Sequence, residues 1–437
     1  MSRTVRPDRR RSSSQGRSGS RSAARGQRIH PRRWPLVLAA VLVIVLAAVV
    51  VRVITLKPPN LELRVAFPTT VRLAGSAPTP AWPAAGQAAL LVPGIGSLGS
   101  AGGQQPRPTA SLAKVMTAYL TLKQYPLSPT GGGFTLTVTP ADARAEAEDV
   151  RQDESVVAVR AGERLDEREL LEALLIPSGD NVAQMLAAHD AGSVPQFVAE
   201  MNSTARALGM NETTYTDPSG YQPTTVSDAS DQLRVFERAM SSATFRQIVS
   251  MPRVTLPVAG TVENYNPLIA EGYLGKTGSD SEAEGCLAFF KHITVGGRRL
   301  TLIGVVLGQG TGGDTYAILG AAAAATERLV GSVTPAIRAR TALPAGTAVM
   351  VASSVDGRRV NGATADRLRV IGWGGLEEHL ALRTRSLGTD LTAGQPVGGA
   401  ALTGNLPTPA GNQTQTAVRA STALPRPGVL WRLEHLF

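Results

Sequence analysis

Ser111-Leu112-Ala113-Lys114 opens the stretch S-L-A-K-V-M-T-A-Y-L-T-L-K-Q, and the reading of that stretch decides the fold. Leu112, Val115, Met116 and Tyr119 recur at helical spacing, so a helix is expected from Ser111 to Gln124, stopped by Pro126. A serine at a helix start lies near unpaired N–H groups and the positive end of the helix dipole, which favour negative charge on its oxygen. Lys114 follows three residues later on the same face, within reach of that hydroxyl. Taken alone, the pair reads better as a capping serine and a surface lysine. Two later motifs reverse that.

The first is Ser178-Gly179-Asp180-Asn181, which follows Pro177 in a short break between two helical patterns spanning Leu165–His189. Ser178 can cap the second helix, or point inward and relay a proton. The other is Lys276-Thr277-Gly278, in an apolar run expected to be a strand edge. A lysine charge beside a threonine hydroxyl suits a ligand ending in carboxylate, and Gly278 is expected to let a substrate backbone lie close. Two serines and two lysines in this order are the parts of an acyl-transfer site that uses no histidine.

The motifs, and stretches such as P-T-A-S-L-A-K-V-M-T-A, E-A-L-L-I-P-S-G-D-N-V-A, T-D-P-S-G-Y and G-K-T-G-S-D, resemble serine D-alanyl-D-alanine carboxypeptidases, the low-molecular-mass penicillin-binding proteins. The resemblance spans about residues 88–330. It implies an α+β fold like that of penicillin-binding proteins and serine β-lactamases, an antiparallel sheet flanked by helices. It implies that Ser111 attacks the D-Ala-D-Ala terminus of a peptidoglycan stem peptide, that Lys114 takes the serine proton, and that Ser178 and Lys276 pass one to the departing D-alanine. Thr277 would bind the terminal carboxylate, and the N–H groups of Ser111 and Ser279 would form the oxyanion hole. β-Lactams would be covalent inhibitors, and neither a metal nor a cofactor is implied. One departure matters: the usual third residue of the middle motif is asparagine, and here it is Asp180 with Asn181 next. A carboxylate at that point would tether Lys114 by charge and work against its role as a base, whereas a shift of one residue would bring Asn181 into place.

The rest of the chain fits an enzyme outside the cytoplasm. The formal charge of +10 resides in the tail, residues 1–34, which carry eleven arginines and one acid, Asp8; everything after it is neutral. That leaves no basic domain for nucleic acid. The tail is expected to be disordered and cytoplasmic, and the apolar run within 35–56 to be a single-pass anchor that sends the rest outside. Several prolines in 57–86 read as a spacer. The catalytic domain is expected over 87–332, ending in consecutive strands joined at Gly296-Gly297, and an all-β module over 335–437. Two G-x-G-x-x-G matches, Gly94–Gly99 and Gly308–Gly313, lack the helix or the acid a dinucleotide site needs and read as turns. The single cysteine, Cys286, sits in an apolar strand pattern, and the five histidines are scattered.

Among rivals, a class A β-lactamase needs an E-x-x-L-N segment that is missing between Asn181 and Lys276. A DD-endopeptidase or transpeptidase would use the same residues. A non-catalytic wall-peptide or β-lactam sensor, its site impaired by Asp180, is the alternative from another class.

Overall fold

The computed structural model describes residues 34–103, 105–310, 312–403 and 414–436. Apart from Trp34, the basic tail lies outside them. The described residues fall into two units, one of 34–58 with 427–436, the other Pro59–Arg426. In the first, Trp34–Thr55 is a 22-residue helix long and apolar enough to cross a membrane. At 1.5 Å per residue it reaches about 33 Å, the thickness of a hydrocarbon core.

The larger unit has two lobes. The first lobe, which carries the three motifs, is built on a five-stranded antiparallel sheet in the order Tyr273–Asp280, Glu284–Val295, Arg298–Gln309, Gln87–Val92, Gly96–Ala101. Its long strands are apolar at successive positions because both faces are covered. Leu287, Phe289 and Val306 face one core with the helix Thr315–Val333. Ala288, Phe290 and Val305 face the other, formed by helices including Ala113–Gln124 and Ala229–Ala239. Cys286 lies on that second face, fully buried, and burial pushes its thiol up to about 12. The Gly296-Gly297 turn joins the two longest strands as expected, both glycines at positive φ. Gly94–Gly99 runs from a turn into the edge strand Gly96–Ala101, and Ile95 and Leu98 join the same core as Trp373 and Leu376 of the second lobe.

The second lobe corrects two expectations. Residues 57–86 are more than a spacer: Glu62–Val65 pairs with Ala348–Ser353, and Thr70–Arg72 with Glu377–Thr384. These short strands take the two edges of a seven-stranded sheet whose other members lie beyond residue 347. The β-rich part also ends at Arg426, after which Val429–Glu434 is a short helix in the other unit.

Candidate active site

The helix expected at Ser111 starts differently. Ala110–Leu112 is a turn of 3₁₀ helix, and the α-helix proper is Ala113–Gln124. Ala110 has φ of +46°, a conformation a non-glycine residue adopts only when its surroundings hold it there. Two close approaches do so. A Cβ on Gly220 would stand 1.9 Å from the Ala110 carbonyl oxygen, and one on Gly278 would stand 2.9 Å from that of Thr109. The T-D-P-S-G-Y loop and the K-T-G strand thus clamp the turn carrying Ser111 from two sides.

Lys114 is fully buried. Its Nζ donates to Ser111 Oγ at 2.8 Å, to Asp180 Oδ1 at 2.5 Å and to the Ser219 carbonyl at 3.0 Å. Ser178 lies in the break between helices Glu167–Leu175 and Asp180–Ala191, with φ of +69°. The break is held by Gly179 N–H on the Ala173 carbonyl and by Asp180 N–H on that of Ser155. Ser178 Oγ meets Lys276 Nζ at 2.9 Å, and Lys276 also donates to the Thr277 carbonyl at 2.8 Å. Burial first, then the Lys114 ammonium, hold Lys276 well below the usual lysine range, while Asp180 pulls the other way.

Above these groups opens a cleft of about 830 Å³, lined by Ser111, Ser178, Thr277, Gly278 and Ser279 among others. Lys276-Thr277-Gly278 lies on Tyr273–Asp280, the edge strand of the sheet, so one side of its backbone is free of strand partners. The segment Gln152–Val156 forms the opposite wall, tied by the Tyr221 hydroxyl donating to the Gln152 carbonyl.

The middle motif divides in an unexpected way. Asp180 is the residue at the chemistry: one carboxylate oxygen meets Lys114 and the other accepts from Ser155 N–H at 2.8 Å. Asn181 points elsewhere, clipped to the backbone of Val157 through both ends of its amide, at 3.0 and 2.8 Å. Neither lines the cleft, where substrate-binding residues would lie: Asp180 sits behind the site and Asn181 braces its wall. Asp217 is the residue that sequence reasoning missed. Its carboxylate accepts from the N–H groups of Ser219, Gly220 and Tyr221 and from the Ser219 and Thr225 hydroxyls. That shapes the loop presenting the Ser219 carbonyl to Lys114. Its signal was the turn chemistry of Asp217-Pro218-Ser219-Gly220.

Comparison with known proteins identifies the family. Residues 98–311 match the family model for D-alanyl-D-alanine carboxypeptidases, peptidase S11. A D-alanyl-D-alanine carboxypeptidase of Mycobacterium tuberculosis is 32% identical over 218 residues, 48% of this chain and 70% of that protein. The chain belongs to the D-alanyl-D-alanine carboxypeptidase family. A family member here is a serine-type hydrolase. A D-alanyl-D-alanine endopeptidase of Pseudomonas aeruginosa is also 32% identical, over 41% of this chain and 58% of that one. Among solved structures, a mutant of the Streptomyces K15 DD-transpeptidase superposes with a TM-score of 0.50 at 27% identity, covering 58% of this chain and 98% of that one. Penicillin binding protein 5 from Haemophilus influenzae gives 0.53 at 20% identity, covering 79% and 99%, a likeness of fold alone.

Glu154, on the cleft wall of this family member, has one carboxylate oxygen buried without a partner. Burial, and next the Asp180 carboxylate, push its carboxyl up to about 7. A carboxyl raised in the folded state opposes folding once the unfolded chain's carboxyl ionises, so the penalty is absent below about pH 4.5, grows between about 4.5 and 7 and is complete above that. Glu154→Gln is therefore expected to raise Tm relative to the parent at pH 8 and to leave it nearly unchanged at pH 4.5. Equal offsets at both pH values in thermal unfolding would contradict that.

Proposed function

We propose that this protein removes the terminal D-alanine from peptidoglycan stem peptides through an acyl-enzyme on Ser111, and that β-lactams trap it by acylating the same oxygen. The observation that carries the reading is the contact of Lys114 Nζ with Ser111 Oγ at 2.8 Å, next to the Ser178–Lys276 pair at 2.9 Å, at the floor of one cleft. A peptide lying along the free edge of Tyr273–Asp280 would put its final carboxylate near Thr277, and its scissile carbonyl beside Ser111. The N–H groups of Ser111 and Ser279 would then receive the oxyanion, an interaction whose loss typically costs about 10²–10³ in rate. Ser111 Oγ attacks the carbonyl while the buried Lys114, Ser178 and Lys276 set receives its proton. That set returns the proton to the nitrogen of D-alanine as the C–N bond breaks. Water repeats the sequence on the ester and frees Ser111. Asp180 belongs in this account as a positioning residue, orienting Lys114 rather than touching substrate.

In the same proposal Trp34–Thr55 anchors the protein in the cell membrane, the arginine-rich tail stays in the cytoplasm, and the catalytic lobe works on the wall outside. Residues 87–332 form its penicillin-binding part, and the β-rich lobe is a separate module of the same chain.

The test uses the detergent-solubilised full chain. Benzylpenicillin is expected to add one adduct to Ser111 by intact mass and peptide mapping, and a peptide ending in D-Ala-D-Ala to release D-alanine. An adduct without turnover would favour the sensor reading, and no adduct on the folded protein would overturn the acyl-enzyme.

A further inference from the structure

Asp180 changes the charge count in the buried site. Two buried amines, Lys114 and Lys276, flank it, and of the two only Lys114 touches its carboxylate. Both oxygens of Asp180 are engaged, by Lys114 Nζ and by Ser155 N–H, and Lys276 meets only a hydroxyl and a carbonyl. A buried ammonium facing no counter-charge is costly, and it avoids that cost by giving up its proton.

Hydrogen-bond stoichiometry points the same way. An ammonium has three N–H donors, and Lys114 has three acceptors, Ser111 Oγ, Asp180 Oδ1 and the Ser219 carbonyl. A neutral amine has a lone pair as well as N–H groups. Lys276 has two partners, one short of an ammonium's three donors: the Thr277 carbonyl and the Ser178 hydroxyl, and a hydroxyl can donate to a neutral amine's lone pair as well as accept from its N–H.

We infer that the two lysines divide the work: Lys114, paired with Asp180, remains a cation throughout, and Lys276, acting through Ser178, is the base that receives the Ser111 proton. This rests on the Ser111 acyl-enzyme proposed above. As the Ser111 Oγ–carbonyl bond forms, the Ser111 proton passes to Ser178 Oγ and the Ser178 proton to Lys276 Nζ. When the C–N bond breaks, Ser178 protonates the leaving nitrogen and Lys276 restores the Ser178 proton, ending neutral again. Lys114 keeps its protons and donates to Ser111 Oγ, stabilising the developing alkoxide. The depressed proton affinity of Lys276, caused by burial and by the adjacent Lys114 cation, accords with this division. An asparagine at position 180 would leave Lys114 without its counter-charge and free to give up a proton.

A double-mutant cycle tests it, with the full chain in detergent and benzylpenicillin acylation of Ser111 as the readout, on protein whose thermal unfolding is recorded. Lys276→Met is expected to slow acylation by about 10³-fold in the Asp180 chain, the scale of a lost general base. In the Asp180→Asn background, where Lys114 can take over, the same change is expected to cost about 10-fold or less. A second comparison needs no change at Asp180. Arginine supplies charge and no base, so Lys276→Arg is expected to lose about 10²-fold more rate than Lys114→Arg. Equal costs of Lys276→Met in the two backgrounds, or the reverse order of the arginine variants, would overturn the assignment alone. A parent chain that is never acylated at Ser111 would overturn the acyl-enzyme reading and this assignment together.

Discussion

Ser111→Ala is expected to leave a folded protein that takes up no benzylpenicillin and releases D-alanine on the order of 10⁴–10⁶ times more slowly. The size follows from what is deleted. In the proposed reaction Ser111 Oγ is the atom to which the acyl group is bonded, so its loss removes the covalent route rather than one stabilising contact. Ser178 is another hydroxyl lining the cleft, and it is held against Lys276 Nζ at 2.9 Å. Folding should survive because Lys114 retains two of its three acceptors, Asp180 Oδ1 and the Ser219 carbonyl. The turn itself is held by backbone approaches from Gly220 and Gly278 that involve no serine oxygen. Intact-mass labelling and D-alanine release settle the matter together. An adduct that persists on Ser178 or elsewhere would move the nucleophile, and full turnover without Ser111 would abandon it.

Motif residues were legible through the family resemblance their order carries: Ser111, Ser178 and Thr277 come from separate segments and line one cleft. What the sequence left open at positions 180 and 181 is decided by helix geometry. The helix starts at Asp180, so the next residue is rotated by about 100° and addresses a different neighbour, the Val157 backbone. The edge strands in 57–86 were hidden because they are four and three residues long and pair with segments far along the chain. Prolines at 58, 59, 78, 80 and 83 dominate a local reading of that region. The helix Pro140–Arg151 escaped for another reason. It buries none of its residues, so no apolar stripe announces it, and only its capping box at Thr139 and Asp142 does. Local pattern reports burial and turn chemistry; it is silent on elements that are exposed or paired at long range.

Gly278→Ala is expected to slow acylation by about 10²-fold, the penalty of a misplacement of up to an ångström at a reacting centre. The K-T-G glycine was expected to make room for substrate, but its missing side chain makes room for the nucleophile's own turn. A Cβ there would meet the Thr109 carbonyl oxygen at 2.9 Å and the backbone nitrogens of Ser111 and Leu112 at 3.2 Å each. All three are backbone atoms, and none can rotate away as the end of a flexible side chain would. The turn they belong to already holds Ala110 at φ of +46°, so it has little freedom to yield. Either the strand Tyr273–Asp280 or the turn must therefore shift by a few tenths of an ångström. Either movement carries Ser111 away from Thr277 and from the Ser279 N–H, which sit on that strand. The Lys114–Asp180 contact arises from two helices and stays outside the disturbance, so the loss should appear in acylation far more than in folding. Gly320→Ala is the matched control. It adds the same methyl to open space within the helix Thr315–Val333 and should leave acylation untouched. Second-order rates of benzylpenicillin acylation for the two variants decide the point: a Gly278→Ala protein acylating as fast as the parent would mean that this close approach does not position Ser111.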